Sequence, residues 1–268
     1  MNISELFFFQ NALIGAILAA VVCGIVGAYV VVRRLVFISG GITHASLGGV
    51  GIALYCGWSP LWTAMAFSVL SALGIRSMTG RMEEREDSVI AVFWTLGMAV
   101  GILFAFMTPG YGADLTTYLF GNVLTVTRSD LWLLGGIGLM LCVGCFFFLP
   151  QITAVAFDPD FARTRGIPVV WMDYILIALI AVSVVAVLRI VGIVLALALL
   201  TIPQMTANLF VSRMRPLLCL SVFFALLAGL SGLFFSFCFD VPSGASIIVS
   251  ACLFYGLARA AFWVRRLF

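Results

Sequence analysis

Long apolar runs alternate with short polar joints along this chain. The runs fall at about residues 8–32, 41–57, 61–75, 88–107, 131–149, 169–188, 190–211, 217–239 and 245–262. Most approach the ~20 residues that a helix needs to cross the hydrocarbon core of a bilayer. Aliphatic and aromatic residues are mixed within each run without a period of two, which favours helices over the alternating strands of a membrane β-barrel. A further stretch, about 115–126, is amphipathic and too short to cross alone. Run 61–75 is also short, and is expected to tilt or to be partly re-entrant. The joints include the Trp58-Ser59-Pro60 turn, the charged segment 76–87 and the Pro109-Gly110-Tyr111-Gly112 loop; Leu149-Pro150 is expected to close one run. The pattern predicts an all-α integral membrane protein, a polytopic bundle of 8–9 transmembrane helices in one domain spanning 1–268.

Composition strengthens this reading. Apolar residues make up 64% of the 268 positions and charged residues 9%, with a mean hydropathy of +1.23. A soluble domain holds about 45–50% apolar and about 25% charged residues, because it needs a polar surface. A lipid environment removes that need. Glycines at helical spacing (Gly24 and Gly27; Gly48, Gly49 and Gly51) suit close packing of helices in lipid. The seven cysteines lie in apolar runs and are expected to be buried packing thiols, the Cys142-x-x-Cys145 pair included. The first run is too long, and lacks the basic start, for a cleavable signal peptide.

Charge distribution says more than the net charge of +3. All 14 basic residues are arginine. Without lysine the chain has no Schiff-base amine and no phosphate-binding loop of the P-loop type, so ATP-driven work would require another chain to hydrolyse the nucleotide. When the runs alternate across the membrane with Arg33-Arg34 inside, only Arg128 and Arg189 fall outside. Arginine-rich joints stay in the cytoplasm, so a multi-pass protein of the cell membrane with a cytoplasmic C-terminus is expected, with no nucleic-acid partner.

One joint encodes its own structure. In Phe157-Asp158-Pro159-Asp160-Phe161-Ala162-Arg163-Thr164-Arg165-Gly166-Ile167-Pro168, Asp158 is an N-cap, Pro159 suits the first helical position and Asp160 favours the positive helix end. Arg163 and Arg165 sit near the opposite end, Gly166 can take the C′ position and Pro168 stops continuation. The segment therefore predicts a helix of about two turns, with Phe157 and Phe161 on one side. It reads either as a plain interfacial connector or as a docking helix that passes rigid-body motion from a soluble partner to the bundle.

These residues resemble the coupling helix of the zinc/manganese/iron permeases of ATP-binding-cassette (ABC) importers. Four further segments match that family in the same order: Ser39-Gly40-Gly41-Ile42-Thr43-His44-Ala45-Ser46-Leu47; Leu119-Phe120-Gly121-Asn122-Val123-Leu124 with Ser129-Asp130-Leu131; Gly192-Ile193 through Thr201-Ile202-Pro203-Gln204-Met205-Thr206-Ala207; and Asp240-Val241-Pro242-Ser243-Gly244-Ala245. The resemblance implies a BtuC-like, type II importer permease that is not itself an enzyme and binds no cofactor. It implies a cytoplasmic coupling helix at 157–168, with Phe157, Asp158, Pro159, Phe161, Ala162, Arg163 and Gly166 as ATPase-coupling residues. It further implies a separate ABC ATPase subunit holding ATP, an extracytoplasmic metal-binding protein, a second permease copy forming a homodimer, and a divalent metal ion as cargo.

The candidate metal path centres on His44, the single histidine. A polar group within the bilayer tends to face the bundle interior or a pathway, and neutral imidazole is a ligand for zinc, manganese or iron. The alternative is a satisfied packing residue. The family commonly carries an aspartate four residues earlier, on the same helix face; here Gly40 stands instead. Thr43 and Ser46 offer hydroxyls nearby, and two copies of His44 across a homodimer could share an ion. Asp240 is a second candidate, reading equally as an N-cap for the following helix. Asp114 and Asp130 read as solvated charges near an outer entrance, the 83–87 cluster as a solvated inner one, and Asn122 as a packing or capping residue.

Other functions fit less of the sequence. An ion-coupled secondary transporter needs carboxylates within the spans, and an intramembrane enzyme needs paired aspartates or an HExxH motif. Import of a metal chelate (siderophore, haem or corrinoid) shares the architecture. The choice among zinc, manganese and iron stays open.

Overall fold

The computed structural model describes residues 3–81, 85–108 and 126–267, with helices throughout and no strand among them. Eight helices are long and apolar enough to cross a membrane. They are α1 (Ile3–Val32), α2 (Val36–Cys56), α3 (Pro60–Arg81), α4 (Glu86–Met107), α5 (Arg128–Phe157), α7 (Val169–Val191), α10 (Met214–Phe239) and α11 (Ser243–Leu267). Three short helices, α6 (Pro159–Thr164), α8 (Ile193–Leu199) and α9 (Ile202–Asn208), complete the described chain. At about 1.5 Å rise per residue, the 21 residues of α2 already span the core of a bilayer. The expected stretch 115–126, apart from Val126, lies outside the described residues, as do Asp114, Asn122, Glu83 and Glu84.

Helices α1, α2 and α7 form the buried centre, whereas α4, α5 and α11 turn most of their surface outward. Trp132 and Phe146 on α5 are each 82% exposed. An apolar exterior is what lipid requires, and it also relocates the thiols. Of the seven cysteines only Cys23 is buried; Cys56, Cys142, Cys219, Cys238 and Cys252 are exposed and Cys145 is intermediate, all of them free. The expectation of buried packing thiols is corrected accordingly: a weakly polar side chain is tolerated on a lipid-facing surface.

Glycines decide how closely α2 approaches its neighbours. A Cβ at Gly48 would come within 2.9 Å of the Gly97 carbonyl oxygen on α4, and one at Gly49 within 2.7 Å of the Ala64 backbone on α3. A Cβ at Gly51 would collide with the backbone of Gly101. Backbone-to-backbone packing of this kind is how helices associate without a hydrophobic driving force.

Three boundaries differ from the sequence reading, each for a local reason. Helix α3 is a full-length helix of 22 residues, not a short or re-entrant run, and continues through Arg76 to Arg81. It does so because Arg76 is paired with Asp173 rather than hydrated in a loop. Helix α5 runs through Pro150 to Phe157 instead of closing at Leu149-Pro150; Pro150 is exposed, so the backbone carbonyl it leaves unbonded need not be buried. The run 190–211 is not one helix. Its first two residues finish α7, Gly192 at φ 80° breaks the chain, and the remainder divides into α8 and α9, with Pro203 in the first turn of α9. The amide of Gln204 closes this break, donating to the carbonyls of Leu199 (3.0 Å) and, across the interface, of Cys23 on α1 (2.7 Å). Gly27 makes the room, since a Cβ there would overlap that amide.

Ion pairs tie both ends of α7. At the end next to α6, Asp173 is 2% exposed and accepts from Arg33 at 3.3 Å and from Arg76. At the opposite end Arg189 Nε lies 3.0 Å from Asp130 Oδ1. Asp130 is 7% exposed and forms a reciprocal cap with Thr127: the Thr127 hydroxyl accepts from the Asp130 backbone N–H, and Asp130 Oδ2 from that of Thr127. Asp130 is therefore a buried structural charge, not a solvated one.

Candidate functional site

Helix α2 carries His44 at its middle. It lies eight positions beyond Val36, about 12 Å along the axis, and faces Trp94 on α4. The close α2–α4 packing brings the two rings together as a parallel stack, centroids 4.2 Å apart at 9°. Trp94 is held in turn, its Nε1 donating to Met98 Sδ at 3.2 Å. The imidazole is half-buried, and its Nδ1 is buried without a hydrogen-bond partner. One face of the ring is thus fixed by an indole.

The surroundings of His44 are polar but self-contained. Thr43 is fully buried and its hydroxyl donates to the Ser39 carbonyl (2.6 Å); Ser46 donates to the Thr43 carbonyl (2.6 Å). Both hydroxyl protons are thus spent within α2. One turn before His44, a Cβ at Gly40 would meet only Leu197 Cδ2 at 3.9 Å and Trp94 Cζ3 at 4.0 Å, which is ordinary contact. Gly40, unlike Gly51, is not demanded by packing.

Asp240 sits elsewhere. It is the C-cap of α10 in the left-handed region (φ 52°), exposed, and is not the N-cap of α11, which begins at Ser243. Aspartate is among the few non-glycine residues that adopt this conformation readily, so the position ends a helix. Among the described residues no group of three or more His, Cys, Asp or Glu side chains could hold a metal ion. His44 and Asp240 are not joined into one site within a single chain.

Helix α6 begins and ends where the sequence places it. Asp158 Oδ1 accepts from the Phe161 N–H at 2.9 Å, Pro159 occupies the first turn, and Gly166 follows the Arg165 C-cap at φ 75°. Ala162 is fully buried against Val155 and Val169, with Ile167 and Met172 beside them, so α6 is seated on the end of α5 and the start of α7. Phe161 of α6 is 48% exposed, and Phe157, the last residue of α5, is 57% exposed. The Arg165 guanidinium lies over the Phe161 ring, 5.1 Å from its centroid, and Arg163 pairs with Asp160 at 2.6 Å. Aromatic rings and arginines on a rigid, capped element have the composition of an interface anchor.

Asp173, not singled out in the sequence, lies inside α7. Its signal was present: one aspartate in the otherwise apolar Trp171-Met172-Asp173-Tyr174-Ile175. Two guanidinium partners commit it to structure and leave no free carboxylate there for an ion relay.

Similar proteins agree with this architecture. The chain is 38% identical over 251 residues to the manganese transport system membrane protein MntC of Halalkalibacterium halodurans, covering 94% of this chain and 86% of that one. It is 38% identical over 253 residues to an uncharacterized membrane protein of Synechocystis sp., covering 94% and 90%. Among solved structures it superposes on PsaBC from Streptococcus pneumoniae in complex with Fab with a TM-score of 0.84 at 31% identity, covering 94% of this chain and 90% of that one. The ABC 3 transport family model matches residues 5–261, nearly the whole length, and the chain belongs to that family.

Proposed function

We propose that this chain is the membrane-crossing permease subunit of an ABC importer that carries a divalent metal ion, manganese foremost, into the cytoplasm. The observation that carries the reading is His44, a lone, half-buried imidazole at mid-depth with an unpartnered Nδ1. The relative named for manganese transport supports the choice of cargo. With no second ligand of its own at that depth, one chain would hold an ion weakly. A homodimer that brings two copies of His44 to a shared axis would supply a second nitrogen, and Asp240 at the outer mouth would draw the cation in. A pathway must also release its ion, so modest affinity suits transport.

The other parts follow from this reading. The chain lacks lysine, and a separate ATPase subunit binds and hydrolyses ATP. That subunit docks on α6 from the cytoplasm, where the arginine-rich joints lie and where the C-terminus ends once α8 and α9 together carry the chain back across the membrane between α7 and α10, and an extracytoplasmic binding protein delivers the metal. The test is reconstitution with a cognate ATPase and binding protein, with uptake measured across a panel of divalent ions. ATP-dependent accumulation of manganese is the expected result; accumulation of none of the ions overturns the reading. In cells, His44→Ala is expected to lower the metal accumulated through this transporter by about tenfold or more, since losing even an outer-shell partner of a metal ligand costs about 10–100-fold in affinity or activity. Elemental analysis checks this, and an undiminished content removes His44 from the path.

A further inference from the structure

The Asp173 node lies between the docking helix and the helix that carries His44. The carboxylate belongs to the second turn of α7, immediately after the residues on which α6 is packed. Its two oxygens are claimed by different helices: Oδ1 by Arg33, just past the end of α1, and Oδ2 by Arg76 on α3. Arg33 reaches further, donating from Nη1 to the Val155 carbonyl on α5 at 3.3 Å. Four long helices therefore meet at one buried charge beside α6. From there the chain turns directly into α2, with Arg34 at φ 59° and the Leu35 N–H bonded to the Val30 carbonyl, so α1 and α2 share a stiff corner. Helix α3 packs along α2 as well.

Apolar contacts are non-directional and let helices slide past one another. A carboxylate gripped by two planar guanidinium forks fixes distance and direction together. Ala162 of α6 meets the bundle through hydrophobic contacts, with Val155, Val169, Ile167 and Met172. We propose that Asp173 is a positioning residue for transport: it converts displacement of α6 by the ATPase into movement of α1, α3 and hence of α2 with His44. The assignment rests on the importer reading above. Nothing in it requires Asp173 to touch the ion or change protonation.

The experiment uses the complete transporter, permease with ATPase and binding protein, in proteoliposomes, with ATP hydrolysis and manganese uptake recorded on one preparation. Asp173→Asn keeps the shape and removes the charge that holds both arginines. The expected result is an assembled complex that hydrolyses ATP within about twofold of wild type but moves at least about tenfold less manganese per ATP, a coupling loss of ordinary allosteric size. Arg76→Gln, which removes one partner and leaves Arg33 in place, is expected to give an intermediate ratio. Uptake and hydrolysis falling in equal proportion would mark a merely structural residue and overturn the proposal, as would an unchanged ratio or failure of both variants to assemble. A wild-type complex that moves no metal overturns the importer reading instead; the node is then judged by whether ATP binding changes the distance between spin labels on α6 and α2 in wild type and not in Asp173→Asn.

Discussion

Phe161→Asp is expected to abolish stimulation of the partner ATPase while the permease still inserts and folds. The ring is half exposed and the backbone N–H of Phe161 is already held by Asp158. An aspartate in the first turn of α6 also suits the helix dipole and can pair with Arg165, so the helix itself should persist. What disappears is the apolar anchor. Truncating a buried aromatic hot spot costs about 2–4 kcal/mol in protein interfaces, and burying a carboxylate in its place adds to that. The expected outcome is loss of co-purification with the ATPase and hydrolysis at the rate of the isolated ATPase, checked by affinity pull-down and phosphate release. Phe161→Leu, which keeps an apolar contact, should retain most of the stimulation. Wild-type stimulation in Phe161→Asp would remove α6 from the docking surface.

Gly51→Ala is expected to loosen the bundle far more than one methyl group suggests. The new Cβ would be driven into the backbone of Gly101 on α4, where no flexible side chain can give way. Overpacking typically costs about 1–3 kcal/mol, and separation of α2 from α4 would also pull apart the His44–Trp94 stack. Gly136→Ala on α5 is the matched comparison, because a Cβ there meets nothing within 4 Å. Thermal unfolding in detergent should show a marked fall in Tm for Gly51→Ala and none for Gly136→Ala. Equal midpoints for the two would mean that α2 and α4 do not approach each other this closely.

What the sequence made legible was local. The capping of α6 could be read from Asp158, Pro159, Gly166 and Pro168, because each acts on backbone groups within a turn of itself. The number of crossings followed from run length, and His44 stood out as the single histidine in an apolar helix. What stayed hidden depended on partners far along the chain. Asp173 pairs with Arg33 across 140 residues, and no local pattern announces that. The same pairing disguised α3, since Arg76 looks like a loop charge until a buried carboxylate is found opposite it. Thr127-Ser129-Asp130 contains a visible capping pattern, whereas the tie to Arg189 does not show. Gly192 and Pro203 were both in view, but uniform hydropathy from 190 to 211 masked the break they produce together.

The absence of a packing demand at Gly40 bears on how such a membrane protein can change over evolutionary time. Some glycine codons become codons for larger residues by a single base substitution, and a Cβ at this position would meet Leu197 and Trp94 only at ordinary contact distance. A lineage could therefore sample other residues here without rebuilding the helix backbones, whereas at Gly51 the Gly101 backbone closes that route.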